Sequence, residues 1–490
     1  MAKVTAIIDI GSNSARMVVY EKTSRFAFHM LNETKSKVRI SENAYKNGGN
    51  LQEEPMQRAY EALENFLSIA ASYKARKILC VATSALRDAP NKALFLQRVR
   101  RGLGLKIKVI SGEQEAWFGG IAAANLLPLQ YNAITVDIGG GSTECTLVEK
   151  KSVSHPVSLD LGAVRLKELF FDKDDIEGAK AYVDKELEKL DIFQNVQTIV
   201  GIGGSFRALS AALMEKESYP LEKIHAYEPD FKSFKKLLSA ILETRSAKEL
   251  KKLSIKEERL DVIKPGALIL SRIIKKLSIN NLITSGVGVR EGVYLNDILR
   301  NSNFRFPENF NPSVRFLMDS FVHEKAHANL LGKVAKEIFS LVAKELQLPK
   351  EYKTHVFLAA KLYPVGSAIH YYSKNKHSYY ILQATLEYGF RHTDTMLIAT
   401  LARYAKRKLP STQHYQKYKK VLPPRETLNK LSYIVSIAVA LLTHRPCKQD
   451  FELKFNDNSL YVISKGSSLR VSKEAVEKLK QIEEFDVRFL

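Results

Sequence analysis

Cysteine is scarce in this chain, and so are acids. The three cysteines, Cys80, Cys145 and Cys447, stand far apart and form no C-x-x-C pair. Neither a disulfide framework nor a structural zinc site is expected from them. Asp and Glu number 53 against 75 Lys and Arg, for a formal net charge of +22. That imbalance says nothing of fold, but it favours polyanionic partners through long-range attraction. Nucleic acid, an anionic membrane and polyphosphate satisfy it equally. A long apolar run is missing too: residues 431–442 are too few to span a bilayer and suit a buried helix instead. No charged-then-apolar leader precedes the strand-like run at 4–10. A cytoplasmic protein with no membrane partner is the expectation.

What is present is ordinary in bulk. With 490 residues, 45% apolar and 26% charged, the chain reads as globular and long enough for two to four domains. A partial internal repeat organises its first part. The segment Ala6-Ile7-Ile8-Asp9-Ile10-Gly11-Ser12-Asn13-Ser14 can be laid on Ile134-Thr135-Val136-Asp137-Ile138-Gly139-Gly140-Gly141-Ser142. Each copy is a β-rich run, an aspartate, a turn of small residues and a second β-like run. Each therefore predicts a β-hairpin with a small-residue turn. Helical periodicity at 55–73 and 91–101 alternates with strand-like runs at 77–82, 106–110 and 198–202, and 231–242 is helical again. Such alternation indicates an α/β layered fold built from two related halves around a cleft. Turn formers crowd 301–312 and read as a linker. Beyond it the pattern is mostly helical, at 328–346, 356–362, 395–408 and 428–442, with a final strand pair near 451–464.

The glycine-rich turns carry the chemistry. Gly139, Gly140 and Gly141 let backbone N–H groups approach an anion with no Cβ in the way, and Ser142 and Thr143 add hydroxyls. Asp137 and Glu144 are hard oxygen ligands suited to Mg²⁺, and Asp9, the repeat's counterpart of Asp137, joins them as a candidate ligand. In the companion turn Ser12, Asn13 and Ser14 offer donors, and Arg16 can pair with phosphate. Gly203, Gly204 and Ser205, followed by Arg207, form a third small-residue loop, and 285–292 a fourth. Glu113 and Glu115 follow a strand at a helix start. Either could serve as a general base, or both could merely suit the helix dipole. Arg87 lies past the carboxyl end of the 77–82 strand, where open α/β sheets bind ligands. His323-Glu324-Lys325-Ala326-His327 fits the H-E-x-x-H zinc pattern, but no third ligand follows at a suitable spacing, and it reads as a helix start. Arg403, Lys406, Arg407, Lys408, Lys417, Lys419, Lys420 and Arg425, with Tyr415 and Tyr418, form a basic stretch. It reads as a solvated surface, as a guide for a long anion, or as a nucleic-acid face.

The segments I-D-I-G-S-N-S-A-R-M, A-T-S-A-L-R-D-A, I-S-G-E-Q-E-A, V-D-I-G-G-G-S-T-E, G-I-G-G-S and S-G-V-G-V-R-E-G occur here in the order seen in the Ppx/GppA family. The chain resembles those exopolyphosphatases and guanosine pentaphosphate phosphohydrolases over about residues 4–300. The resemblance implies a duplicated actin-like, ribonuclease-H-like core at 1–130 and 131–304, with the active site between the halves. It implies a helix-rich, HD-like domain at 305–490. Glu115 then matches the catalytic glutamate, and Asp137 and Glu144 the acids near Mg²⁺. Arg87, Gly139 to Ser142 and Gly203 to Ser205 match phosphate contacts. Tyr363 and Pro364 stand where an HD metal pair belongs, so the last domain is not expected to be a working HD phosphohydrolase. A homodimer through that domain is also implied. The expected activity is removal of terminal phosphate from polyphosphate or guanosine pentaphosphate. A kinase or ATPase of the same architecture is the rival, as is a non-catalytic sensor of such anions, for which a water-activating carboxylate is superfluous. A nucleic-acid-binding module explains the charge but not the carboxylates.

Overall fold

A computed structural model of the chain describes residues 3–490. Contacts divide it into two units, Met1–Phe310 and Asn311–Leu490.

The first unit holds two five-stranded sheets of one design. In the first, β1 (Val4–Ile10) pairs antiparallel with β2 (Ala15–Lys22), and β2 with β3 (Phe28–Ser36). On its other side β1 runs parallel to β4 (Lys77–Ala82), which pairs with β5 (Ile107–Val109). In the second, β6 (Ala133–Ile138), β7 (Thr143–Glu149) and β8 (Ser152–Leu159) repeat the antiparallel meander. Parallel strands β9 (Thr198–Ile202) and β10 (Asn281–Thr284) complete that sheet. The orders β3-β2-β1-β4-β5 and β8-β7-β6-β9-β10 are the same. Strands β1, β6 and β9 are buried along nearly their whole length, as continuous apolar runs require when both faces of a sheet are covered. Each half has its own core, around Ile8, Ile10, Met17 and Val19 in one and Val136, Ile138, Ile199 and Phe206 in the other.

The repeat sets register as well as order. Asp9 pairs with Arg16 across the first hairpin, and Asp137 with Glu144 across the second. Each turn is closed by one backbone bond, Gly11 N–H to the Ser14 carbonyl (3.1 Å) and Gly139 N–H to the Ser142 carbonyl (3.0 Å).

The helix Gly112–Leu126 leaves the first sheet and packs on β7, β8 and the helix Val289–Leu299. Its start is a capping box. Ser111 Oγ accepts from Gln114 N–H (3.2 Å), and Gln114 Oε1 accepts from Ser111 N–H (3.4 Å). Close approach to β8 needs Gly112, where a Cβ would stand 2.2 Å from Ser158 Cβ.

The second unit packs the helices Lys325–Val342, Tyr352–Leu362, Lys374–Thr385, His392–Tyr404 and Arg425–Leu441 with a small sheet. That sheet is β11 (Phe451–Asn456), β12 (Ser459–Ser464) and β13 (Asp486–Phe489). The third strand, parallel to β12, escapes a reading of local pattern because four residues carry too little alternation. Residues 431–442 lie in the buried helix Arg425–Leu441 and the turn after it, and no helix among the described residues is long and apolar enough to cross a membrane. His323 precedes the helix that begins at Lys325, so it and His327 do not share a helical face, and Glu324 is ion-paired with Arg445.

Candidate active site

All four small-residue loops converge, with the start of the helix Gly112–Leu126, on one cavity of about 160 Å³ in the first unit. The two hairpin turns nearly touch: a Cβ on Gly140 would lie 2.8 Å from Ser12 Cβ. Gly203, at the start of the helix Gly203–Lys216, takes φ +90°, and a Cβ there would meet Asp137 Oδ1 at 2.5 Å. The left-handed backbone thus lets the third loop lie directly against the second hairpin's aspartate.

The sequence candidates Asp9, Ser12, Asn13, Ser14, Arg16, Glu115, Asp137, Gly139, Gly140, Ser142, Gly203, Gly204 and Ser205 all line this cavity. Three others stand behind it. Arg87 donates from Nη1 to Glu115 Oε2 (3.1 Å) and from Nη2 to Ser142 Oγ (3.4 Å), bridging the catalytic-helix candidate and the glycine turn. Glu144 is buried and accepts from Ser158 Oγ (2.9 Å). Gly141 presents its carbonyl to Arg165 Nε (2.7 Å). Between the alternatives in the Ser111 turn, the packing distinguishes clearly. Glu115 is buried in the cavity wall, whereas Glu113 lies outside it as an exposed residue of the first helical turn.

The electrostatics follow from burial. Desolvation, with Glu144 next and Arg87 opposing, lifts the Glu115 carboxyl well above the usual range. Burial likewise pushes Asp137 up to about 6 against the pull of Arg207, and Glu144 up to about 8 against its bonds to Ser142 and Ser158. Asp9 is raised by burial while Arg290 and Arg16 draw it down. The carboxylates thus lack full compensation, and Asp9 Oδ1 is buried with no hydrogen-bond partner among the described residues.

Opposite them stands a cationic group of which the sequence marked Arg16 as a phosphate partner and named Arg207 after the third loop. Arg207, Arg259 and Arg290 line the cavity with Arg16. Arg290 bonds Glu33 Oε1 at 2.6 Å, and Arg16 lies 3.6 Å from the same oxygen. Burial and then Arg290 lower the pKa of Arg16 to about 10 and also lower that of Arg207, whose buried Nε has no hydrogen-bond partner among the described residues. Arg207 and Arg290 sit in the third and fourth small-residue loops, so a signal for them existed. Arg259 follows no turn motif and is brought against Gly204 by folding alone. Thr83 and Ser84 were also missed; Ser84 Oγ lies 3.1 Å from Ser12 Oγ.

Residues 18–301 match the profile of the Ppx/GppA phosphatase family, and residues 311–484 that of Ppx/GppA phosphatase domain III. The chain belongs to the Ppx/GppA phosphatase family. A guanosine-5'-triphosphate,3'-diphosphate pyrophosphatase of Photobacterium profundum is 26% identical over 476 residues, which are 93% of this chain and 90% of that protein. A bifunctional 3-dehydroquinate synthase/phosphatase of Fusobacterium nucleatum is 31% identical over 298 residues, 57% of this chain. The match spans only 44% of that longer relative. Among solved structures, the Aquifex aeolicus Ppx/GppA family member superposes with a TM-score of 0.53 at 30% identity, over 62% of this chain and 99% of that one. The first unit is accordingly the duplicated actin-like core of a Ppx/GppA phosphatase, and the second unit its helix-rich domain III.

Proposed function

We propose that the cavity hydrolyses the terminal phosphoanhydride of guanosine pentaphosphate or inorganic polyphosphate. One observation carries the reading: a buried glutamate of raised basicity, Glu115, shares a small cavity with glycine-rich turns, unpartnered Asp9 Oδ1 and unpartnered Arg207 Nε. Those two orphaned atoms want opposite things, a cation and an anion. A metal-bound phosphate chain supplies both.

Mg²⁺ fits the donor set. Among the described residues no three His, Cys, Asp or Glu side chains form a ready-made metal cluster. Mg²⁺ takes one or two carboxylates and completes its shell with water and phosphate oxygens, and Asp9 and Asp137 offer such a set in the cavity. Asp9 and Asp137 would hold it, with Glu144, turned toward Ser158, behind them. When bound it neutralises charge on the phosphate oxygens.

The rest falls to the chain itself. Backbone N–H groups of residues 12–14, 140–142 and 203–205 position the phosphates, and Arg16, Arg207 and Arg290 balance their charge. Arg87 holds Glu115 in place. Glu115 orients a water and accepts its proton as the water oxygen attacks the terminal phosphorus. The bridging oxygen leaves with the shortened chain, and inorganic phosphate is released. A pure binding protein has no use for the water-activating carboxylate. The near full-length match to a guanosine pentaphosphate hydrolase supports that substrate. The reading includes a cytoplasmic enzyme, and self-association is checked by sedimentation.

Phosphate release from each anion by the purified protein, with and without Mg²⁺, tests the reading. Transfer of phosphate from ATP to an acceptor, with no release from either substrate, would sink it in favour of a kinase.

A further inference from the structure

The second unit contains two adjoining cavities, of about 240 and 450 Å³, that share Tyr363, Tyr371 and Lys374 as a common wall. Much of what lines them is cationic. Lys374, the first residue of its helix, lies over the Tyr363 and Tyr371 rings at 5.2 and 5.1 Å. Lys406, Arg407 and Lys478 line the larger cavity, and Arg445 the smaller.

The acids nearby are already engaged, Glu324 with Arg445 and Glu474 with Arg470. Among the described residues Lys374, Lys406, Arg407 and Lys478 form no ion pair. His327 Nδ1, in the smaller cavity, is buried without a hydrogen-bond partner among the described residues. Burial, then Arg445 and Lys406, lowers the pKa of Lys374, so a bound anion would relieve crowded positive charge.

The rim is aromatic. Tyr371 and Tyr372 line the larger cavity yet are 66% and 75% exposed, with their rings 5.6 Å apart at 79°. Large exposed rings beside unpaired cations form the pairing that stacks a base and holds its phosphates. A volume of about 450 Å³ is enough for such a ligand. The wider basic stretch is not equally available, since Arg403 stacks on the Tyr379 and Tyr404 rings at 4.7 and 5.7 Å.

We infer that this double cavity is a second, non-catalytic site for a nucleoside polyphosphate, its base stacked on Tyr371 or Tyr372 and its phosphates held by Lys374, Lys406 and Arg407. The inference does not rest on the hydrolase reading of the first unit.

The test uses the full chain carrying Glu115→Gln, so that the probe is not consumed, with GTP as probe and amide hydrogen exchange of residues 369–376 as readout. GTP slows exchange across that segment. In a Tyr371→Ala/Tyr372→Ala variant, and separately in Lys374→Gln/Lys406→Gln, half-maximal protection needs about tenfold more GTP or more. Phosphate release in the corresponding Glu115 proteins is unchanged in kcat. Exchange indifferent to GTP overturns the inference. So does protection of the segment by tripolyphosphate, which has no ring, at the same concentration as GTP, because phosphate alone would then account for the site.

Discussion

Glu113 and Glu115 stand two residues apart at one helix start, and they test how much a single side chain carries. Only Glu115 turns into the cavity, so Glu115→Gln should lower kcat by about 10²–10⁴ while leaving the melting profile intact. Glu113→Gln, whose carboxylate is held low chiefly by its own backbone N–H, should keep most activity. Full turnover in Glu115→Gln would remove the general base from the proposed mechanism. A second residue makes a pH prediction. His225 is buried, its Nδ1 accepting from Gly286 N–H (3.1 Å) and its Nε2 donating to the Leu126 carbonyl (3.0 Å). The two bonds specify the neutral ring, and burial takes its pKa down to about 4. The unfolded chain therefore binds the proton first as pH falls below about 6.5. The stability that neutral His225 contributes is full above that value and falls by about 3 kcal/mol as pH drops toward 4, opposite in sign to the contribution of the raised carboxyls Asp137 and Glu144. Urea melts of the wild type and of His225→Gln at pH 7.5 and 4.5 isolate the loss as the difference between the two proteins, and equal pH dependence in both would remove the His225 contribution.

At the scale of elements, the helix Gly112–Leu126 joins the two sheets of the first unit and sets Glu115 by its docking. Its first residue leaves no room for a Cβ against Ser158, the partner of Glu144. Gly112→Ala should cost about 1–3 kcal/mol by overpacking and lower phosphate release through displaced Glu115. Denaturant melts and kcat of the variant should shift together; wild-type stability with wild-type turnover would show that the helix start tolerates a side chain. The hairpins teach a complementary lesson. Their strands and turns were legible because β-rich runs flank small residues. Their registers give Arg16 and Glu144 equivalent places, a cation in one half and an acid in the other. Divergence within the repeat thus supplies a guanidinium in one half and a carboxylate in the other.

For the whole molecule, the net charge of +22 acts through encounter rather than through any one contact. Raising salt from about 0.05 to 0.5 M should cut kcat/KM for a polyanionic substrate roughly tenfold and leave kcat nearly constant, because screening acts on approach. A salt-independent kcat/KM would assign the excess charge no role in capture.

What the sequence determined by itself was local: two hairpins with glycine turns, the alternation of strands and helices, the turn-rich joint before a helical region, and the carboxylates within the motifs. Hydrogen bonding and backbone freedom over a few residues dictate those features, so they can be read from neighbours in the chain. Only tertiary structure decided which glutamate faces the cavity, that Arg87 reaches Glu115 rather than lining the cavity, and that Arg259 joins Arg207 and Arg290. It alone also joined Tyr371 and Lys374 to Lys406 and Arg407. Those arrangements depend on how separate elements dock, and no local pattern records the distance between residues that only packing brings together.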